Sequence, residues 1–243
     1  MENWLAGSAD NAQLRLWHNG THASEDIALQ GAAPDDLMRT RMDRLGISRA
    51  VLAGPDGARR PLPCTAMDPQ PAAQGLHLLP GLSQASTGEY ATATEATTIA
   101  GVLKAQPRFD GAICLTGDTT LWAHISAQEV VSITRTGTGK LFHALYGAIL
   151  PEIDAEFDHA LSETLSRPER LMRLTATATS GAGLGALIGA ELAAARPWWL
   201  GLQVLAFGPL ARFVTHALQL QGTAVTEGAS DAALLAGLQH AAG

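Results

Sequence analysis

Apolar and polar positions alternate over Leu14-Arg15-Leu16-Trp17-His18, and Asn19-Gly20 follows directly. Alternation marks a half-buried strand, and Asn-Gly suits the positive φ values of a tight type I′ turn. The chain is therefore expected to open on an antiparallel hairpin that returns through Thr21-His22-Ala23. A helix is expected from Pro34, with Asp35 and Asp36 in its first turn and Gly46 past its end. Arg49–Ala53 and Leu76–Pro80 read as short buried strands. Residues 54–75, rich in Pro, Gly, Arg and Gln, read as an irregular surface segment.

The pattern changes to helical over Glu95–Leu103, with Ile99, Val102 and Leu103 on one face. Ala112–Leu115, Leu121–Ile125 and Val130–Thr134 form three strands of a meander. Helices are expected over Lys140–Leu150, over Phe157–Arg173 with a break at Pro168, and over Leu184–Arg196, stopped by Pro197. The tail alternates strand and helix: Leu202–Phe207, Arg212–Leu220, Val225–Thr226 and Ala232–His240. Hairpins carrying Gly and small polar residues lead both halves, which hints at internal duplication. The order is mixed α/β and lacks the strict strand–helix alternation of a dinucleotide fold.

Composition narrows the picture. Of 243 residues, 47% are hydrophobic and 16% charged, enough for a well-packed globular chain. The net charge is −7 and no basic run exceeds Arg59-Arg60, so nucleic-acid binding is not expected. No basic segment followed by an apolar run starts the sequence, and the apolar run Leu184–Ala195 is too short for a bilayer. A cytoplasmic protein with no membrane contact is expected. Cys64 and Cys114 form no metal or redox motif, and Cys114 lies in an apolar strand.

Candidate chemistry concentrates in small-residue segments. Leu115-Thr116-Gly117-Asp118-Thr119-Thr120 joins two strands, and Thr136-Gly137-Thr138-Gly139 precedes a helix. Backbone N–H groups in such turns and helix ends suit a phosphate or another anion, although Gly and Thr also serve as plain caps. Thr134 and Leu141 stand where a P-loop needs Gly and Ser or Thr, so this is not one. Gly181-Ala182-Gly183-Leu184-Gly185-Ala186 follows a possible strand, Leu174–Thr179, in the manner of a dinucleotide fingerprint. The acidic residue that fingerprint needs is missing after Phe207, and close helix packing accounts for the glycines equally well. Asp10 and Asp118 suit either Mg²⁺ binding and base chemistry or the capping of a turn. Glu191, a carboxylate in an apolar helix, needs a partner or a cleft. His18 and His22 flank the Asn-Gly turn and share no helix face.

An ordered series of segments resembles the 2-dehydro-3-deoxygalactonokinase (2-keto-3-deoxygalactonate kinase) family. Gln13-Leu14-Arg15-Leu16-Trp17 is similar to the family's Asn-Leu-Arg-Ala-Trp. Gly54-Pro55-Asp56-Gly57-Ala58-Arg59 is similar to Gly-Met-Ile-Gly-Ser/Ala-Arg, and Pro63-Cys64 to Pro-Cys-Pro. Leu79-Pro80-Gly81-Leu82 is shared outright, and Glu95-Ala96-Thr97-Thr98-Ile99-Ala100-Gly101 resembles Glu-Glu-Thr-Gln-Leu-x-Gly. Leu115–Trp122 resembles Leu-Pro-Gly-Thr-His-Ser-Lys-Trp, and Thr138-Gly139-Lys140-Leu141 resembles Thr-Gly-Glu-Leu. Leu187-Ile188-Gly189-Ala190-Glu191-Leu192 matches closely, and Gly208-Pro209-Leu210-Ala211 is similar to a Gly-Ser-x-x-Leu nucleotide loop.

The resemblance implies a two-lobed actin/hexokinase-type (ribonuclease H-like) duplicated α/β fold with a central cleft. It implies an N-terminal lobe over 1–82, joined by a last helix over 231–243, and a nucleotide-binding lobe over 83–230. It implies ATP and Mg²⁺, with ATP on Ser8, Asn11, Gly117, Thr119, Thr120, Gly208 and Leu210. It places a small sugar acid near Arg15, Thr138 and Gly139, with Asp10, Glu95 and Asp118 as catalytic groups and Asp10 as the metal ligand. A homodimer is a further expectation. The departures are concentrated in charges: Ser8 stands for the family's first Asp, with Asp10 two residues on. Thr119 and Leu121 stand for a His and a Lys, Ala96 for a Glu and Lys140 for another Glu. Three functions therefore stand open: an active sugar-acid kinase, a kinase-fold protein that binds without turnover, and a nicotinamide oxidoreductase using Gly181–Ala186.

Overall fold

The structure, a computed structural model, describes residues 3–10, 12–19, 21, 23–54, 58–67 and 74–243. In chain order its first elements are β1 (Trp4–Ala9), β2 (Gln13–His18), β3 (Ser24–Ala28), α1 (Pro34–Leu45) and β4 (Arg49–Ala53). Then come β5 (Arg59–Pro61), β6 (Cys64–Thr65), β7 (Leu76–Leu79), β8 (Gly81–Gln84), β9 (Glu89–Ala91) and α2 (Ala93–Ala105). The meander is β10 (Gly111–Leu115), β11 (Thr120–Ser126) and β12 (Glu129–Thr136), followed by α3 (Thr138–Tyr146) and α4 (Ala155–Ser166). After a 3-10 turn at Pro168–Arg170 come α5 (Leu171–Thr175), α6 (Ser180–Ala194) and α7 (Arg196–Trp199). The chain ends with β13 (Val204–Phe207), α8 (Ala211–Leu220), β14 (Val225–Gly228) and α9 (Ser230–Ala242). No helix among the described residues is long and apolar enough to cross a membrane.

The chain divides into two compact units. The first comprises Met1–Phe109, Ser126–Ser132 and Ala229–Gly243. Its main sheet has the order β3-β2-β1-β4-β7. The β1–β2 and β2–β3 pairs are antiparallel, and β4 runs parallel to both β1 and β7. One face packs Leu5, Leu14, Leu16, Ala50 and Leu52 against Met38 and Met42 of α1. The other packs Ala6, Trp17, Val51 and Ala53 against Leu234, Leu235 and Leu238 of α9. Burial on both faces is why β1 shows no alternation. A small sheet, β5-β8-β9, and the pairing of the start of β12 with β6 complete this unit.

The second unit comprises Asp110–Ile125 and Ile133–Gly228. Its strands follow the order β12-β11-β10-β13-β14. Again a three-strand meander is extended from its first strand by two parallel strands, here β13 and β14. The two sheets thus repeat one topology, as the duplicated kinase-type fold requires. The core of this unit gathers Cys114, Trp122, Phe142, Phe157, Leu184, Ile188, Ala206 and Phe213, all buried.

The strands Arg49–Ala53 and Val204–Phe207, the meander, and the helix from Pro34 to its αL cap Gly46 lie where the pattern puts them. Four expectations are corrected. The chain opens on β1, so the hairpin over Leu14–His18 is the second and third strands of a meander. Its turn is longer than two residues, because Trp17 pairs with Ser24. Asn19 holds positive φ and its Oδ1 accepts from Trp4 N at 2.8 Å, while Gly20 and His22 lie outside the described residues. The segment 54–75 is not wholly irregular, since it contains β5 and β6. Leu174–Thr179 is no strand: α5 runs to Thr175 and turns follow.

Candidate active site

In the first unit, the β1–β2 turn and the start of α2 line one pocket of about 420 Å³. Ser8, Asp10, Arg15, Trp17, Thr94, Glu95 and Leu234 are on its wall. Asp10 shapes the turn, for its Oδ1 accepts from Ala12 N at 2.7 Å and Gln13 N at 2.8 Å. Two backbone donors on one oxygen make an Asx-type turn. Ser8 Oγ lies 3.0 Å from Thr94 Oγ1, tying strand to helix. Asn11 lies outside the described residues.

Glu95 closes a capping box. Its Oε2 accepts from Thr92 N at 2.8 Å, while Thr92 Oγ1 accepts from Glu95 N at 3.2 Å. Arg15 is held by two carboxylates: Nε donates to Asp26 at 2.8 Å and Nη1 to Asp231 at 3.3 Å. The bond to Asp26 raises the guanidinium's already high pKa, so Arg15 is a fixed cation. Four predicted site residues, Ser8, Asp10, Arg15 and Glu95, are thus brought together. The pocket wall combines one cation with two carboxylates and the hydroxyls of Ser8, Thr92 and Thr94.

In the second unit, three segments meet around Thr116–Asp118. Thr116 Oγ1 donates to Phe207 O at 2.9 Å and accepts from Leu210 N at 3.0 Å. Gly208 has a φ of 102°, and a Cβ there would lie 2.0 Å from Thr116 O. A Cβ on Gly139 would lie 2.0 Å from Gly117 O, and Lys140 N donates to Asp118 O at 2.7 Å. The first turn of α3 is therefore docked on the β10–β11 turn, and one of its N–H groups is capped by that turn's carbonyl. Asp118 is largely exposed, with His143 Nδ1 3.6 Å from its Oδ1. Thr119 Oγ1 accepts from Arg135 Nη1. Gly117, Thr119, Thr120, Gly139, Gly208 and Leu210 thus share one end of this sheet.

Beneath that end lies Glu191. It is 4% exposed, and its Oε1 accepts from Trp122 Nε1 at 2.9 Å. Its Oε2 accepts from Thr138 Oγ1, the first residue of α3. Burial pushes the carboxyl above its ordinary range, and the hydroxyls of Thr138, Thr136 and Thr120 and the Trp122 indole draw it back. The Thr138 hydroxyl therefore points into the core, onto Glu191. Sequence reasoning singled out Glu191 but missed Trp122, Arg135 and Thr136. The signal for Trp122 was a lone indole N–H in an apolar strand, which needs an acceptor.

The glycines of α6 serve packing. A Cβ on Gly183 would lie 2.3 Å from the Tyr146 ring, and one on Gly185 would lie 2.3 Å from Phe157 O. No strand precedes this helix, so the dinucleotide fingerprint lacks its strand–turn–helix setting. Among the described residues no group of three or more His, Cys, Asp or Glu is placed to hold a metal ion.

The sequence profile of the 2-keto-3-deoxy-galactonokinase family matches residues 51–241. No curated protein sequence matches the chain. Among solved structures, a putative 2-dehydro-3-deoxygalactonokinase from Sinorhizobium meliloti superposes with a TM-score of 0.81 at 20% identity, over 98% of each chain. More distant are component A of (R)-2-hydroxyglutaryl-CoA dehydratase from Acidaminococcus fermentans and a putative N-acetylmannosamine kinase from Listeria monocytogenes. The first has a TM-score of 0.49 at 11% identity, over 100% of this chain and 98% of that one. The second has a TM-score of 0.49 at 12% identity, over 98% of each.

Proposed function

The chain belongs to the 2-keto-3-deoxy-galactonokinase family, and we propose that it phosphorylates 2-dehydro-3-deoxy-D-galactonate or a similar 2-keto-3-deoxy acid at the expense of Mg-ATP. The observation that carries this reading is the pocket of the first unit, where a fixed Arg15 faces a wall with Asp10 and Glu95. Charge-assisted N–H bonds from a guanidinium recognise a carboxylate, the group that separates a sugar acid from a sugar. Nε and Nη1 are spent on Asp26 and Asp231, which leaves the Nη2 edge outside those bonds.

Phosphoryl transfer is mostly positioning and charge placement. In this reading Arg15 anchors the acid. Glu95 accepts a hydrogen bond from the hydroxyl to be phosphorylated and takes its proton as the new O–P bond forms and the bond from the γ-phosphorus to the departing ADP breaks. The turns at Gly117, Thr119 and Thr120 and at Gly208 and Leu210, which share one end of the second unit's sheet, hold the nucleotide. Asp118 acts as a second acidic group. Mg²⁺ would neutralise phosphate charge, and Asp10 is the residue to hold it. A single exposed carboxylate suits a cation that takes its other ligands from phosphates and water.

A second reading is binding without turnover. Asp10 Oδ1 already serves a turn and Glu95 Oε2 already serves a helix cap, and uncharged Thr119 and Leu121 follow Asp118. A coupled ADP-release assay with Mg-ATP and a panel of sugar acids separates the two. Turnover well above an Asp10→Ala control supports the kinase. Ligand-induced thermal stabilisation with no turnover supports the binder.

A further inference from the structure

Glu191 is the buried group that the proposed chemistry leaves unused. It sits in α6 among Leu184, Leu187, Ile188 and Leu192, where an ionised or even a neutral carboxyl is costly unless donors surround it. Its donors do not come from its own helix. Trp122 lies in β11 and Thr138 opens α3. These are the flanks of the two segments that frame the Gly117–Thr119 turn.

The consequence is geometric. Thr138 is followed by Gly139, which is docked against Gly117 O, and by Lys140, whose N–H is bound to Asp118 O. Glu191 fixes Thr138 from below and the β10–β11 turn meets the next two residues from above. The first turn of α3 is clamped between them. A Cβ is already excluded at Gly139, so a shift of α3 toward the turn is blocked by backbone. The Thr138–Glu191 bond opposes a shift away from it.

We propose that Glu191 is a positioning residue for the kinase site, setting the first turn of α3 against the Gly117–Asp118 turn through Thr138. The proposal rests on the kinase reading for its effect on turnover, but its structural content does not. Glu191 is 4% exposed and lies beneath the turns rather than on their surface. It acts through Thr138.

The test compares Glu191→Gln, Glu191→Met and Thr138→Val in the full chain. Amide hydrogen exchange is measured over residues 137–141 and 117–120, with α8 as the internal reference. Glu191→Met and Thr138→Val should raise exchange at Gly139 and Lys140 by about tenfold, the loss of one strong hydrogen bond, while α8 stays at wild-type rates. Glu191→Gln, which can still bond Trp122 and Thr138, should restore most of the protection. In ADP release at a temperature where every variant is folded, kcat should fall about tenfold in Glu191→Met with little change in KM. Glu191→Gln should recover it.

Unchanged exchange at 139–140 in Thr138→Val, or a rise spread evenly over the unit, overturns the proposal. So does Glu191→Met turning over at the wild-type rate. Thr138→Val keeps the test decisive where Glu191→Met does not fold. A wild-type protein with no turnover would instead overturn the kinase reading, and the exchange measurements would still decide the role of Glu191.

Discussion

The indole of Trp122 donates its Nε1–H to Glu191 Oε1 at 2.9 Å, and both residues are buried. Each group explains the other: the indole N–H needs an acceptor in an apolar core, and the carboxyl needs a donor. Replacing Trp122 by Phe leaves Glu191 one donor short, and Glu191→Leu leaves both the Trp122 N–H and the Thr138 O–H without their acceptor. Each unmade bond should cost about 1–3 kcal/mol, so Glu191→Leu should be the worse of the two. Urea unfolding at neutral pH checks the order. A Glu191→Leu protein as stable as wild type would mean the network contributes nothing.

The same carboxyl sets a pH dependence. Burial raises Glu191 above its ordinary 4.5, so between that value and its folded pKa the native state holds a proton the unfolded chain has released. Stability from this group therefore falls as pH rises through that window. Glu163 works in the opposite sense: its hydrogen bond to Arg170, at 2.6 Å, lowers its pKa and its contribution is lost as pH falls. A Glu191→Gln variant cancels only the first effect. Its stability relative to wild type should improve as pH rises from about 4 to neutrality. A constant or widening gap on paired thermal melts would contradict the assignment.

Regular elements were legible where packing agrees with local pattern. Pro34, Asp35 and Asp36 begin α1, and Gly46 ends it with φ of 64°. The strand β1 was not legible, because Leu5 to Ala9 is buried on both sides and no polar position marks a face. Short β8 and β9 were hidden by Pro80 and by polar residues. The possible strand Leu174–Thr179 is instead the end of helix α5, which runs to Thr175, and the turns after it. Asp10 was singled out as a turn or Mg²⁺ residue, and Arg15 and Glu95 through resemblance, yet which local bonds each makes could not be read from sequence. Asx turns and capping boxes need only three or four residues, but which one forms depends on the neighbouring backbone.

The glycines of α6 give a stability prediction and an exclusion. A Cβ on Gly189 would lie 2.2 Å from Thr164 Oγ1 and 2.3 Å from Leu161 O. Overpacking of this kind costs about 1–3 kcal/mol. Gly189→Ala and Gly185→Ala should each lower the melting temperature, and NADH fluorescence titrations of the wild type should be flat. A saturable NADH response that Gly183→Ala abolishes would restore the oxidoreductase reading.

Arg15 is the residue on which the choice of substrate class turns. Its ion pairs are partly exposed, so removing them should cost no more than about 1 kcal/mol. If its guanidinium binds the acid's carboxylate, Arg15→Gln should raise KM for the sugar acid about tenfold or more while the KM for Mg-ATP stays. Equal rises in both constants would point to a disturbed fold instead. An unchanged sugar-acid KM would move carboxylate recognition elsewhere.

Gly208 tests whether its loop serves the nucleotide. With φ at 102°, alanine there is strained, and its Cβ would meet Thr116 O at 2.0 Å. The loop must then move away from Thr116, breaking the bond from Leu210 N to Thr116 Oγ1. Stability should drop by about 1 kcal/mol or more. If the loop holds ATP, Mg-ATP should also lose most of its stabilising effect in thermal shift, and its KM should rise about tenfold or more. Gly137 is the control, because nothing lies within 4 Å of a Cβ there and its φ is −102°. Gly137→Ala should keep both stability and nucleotide response. A Gly208→Ala protein that is folded and answers Mg-ATP like the wild type would separate this loop from nucleotide binding.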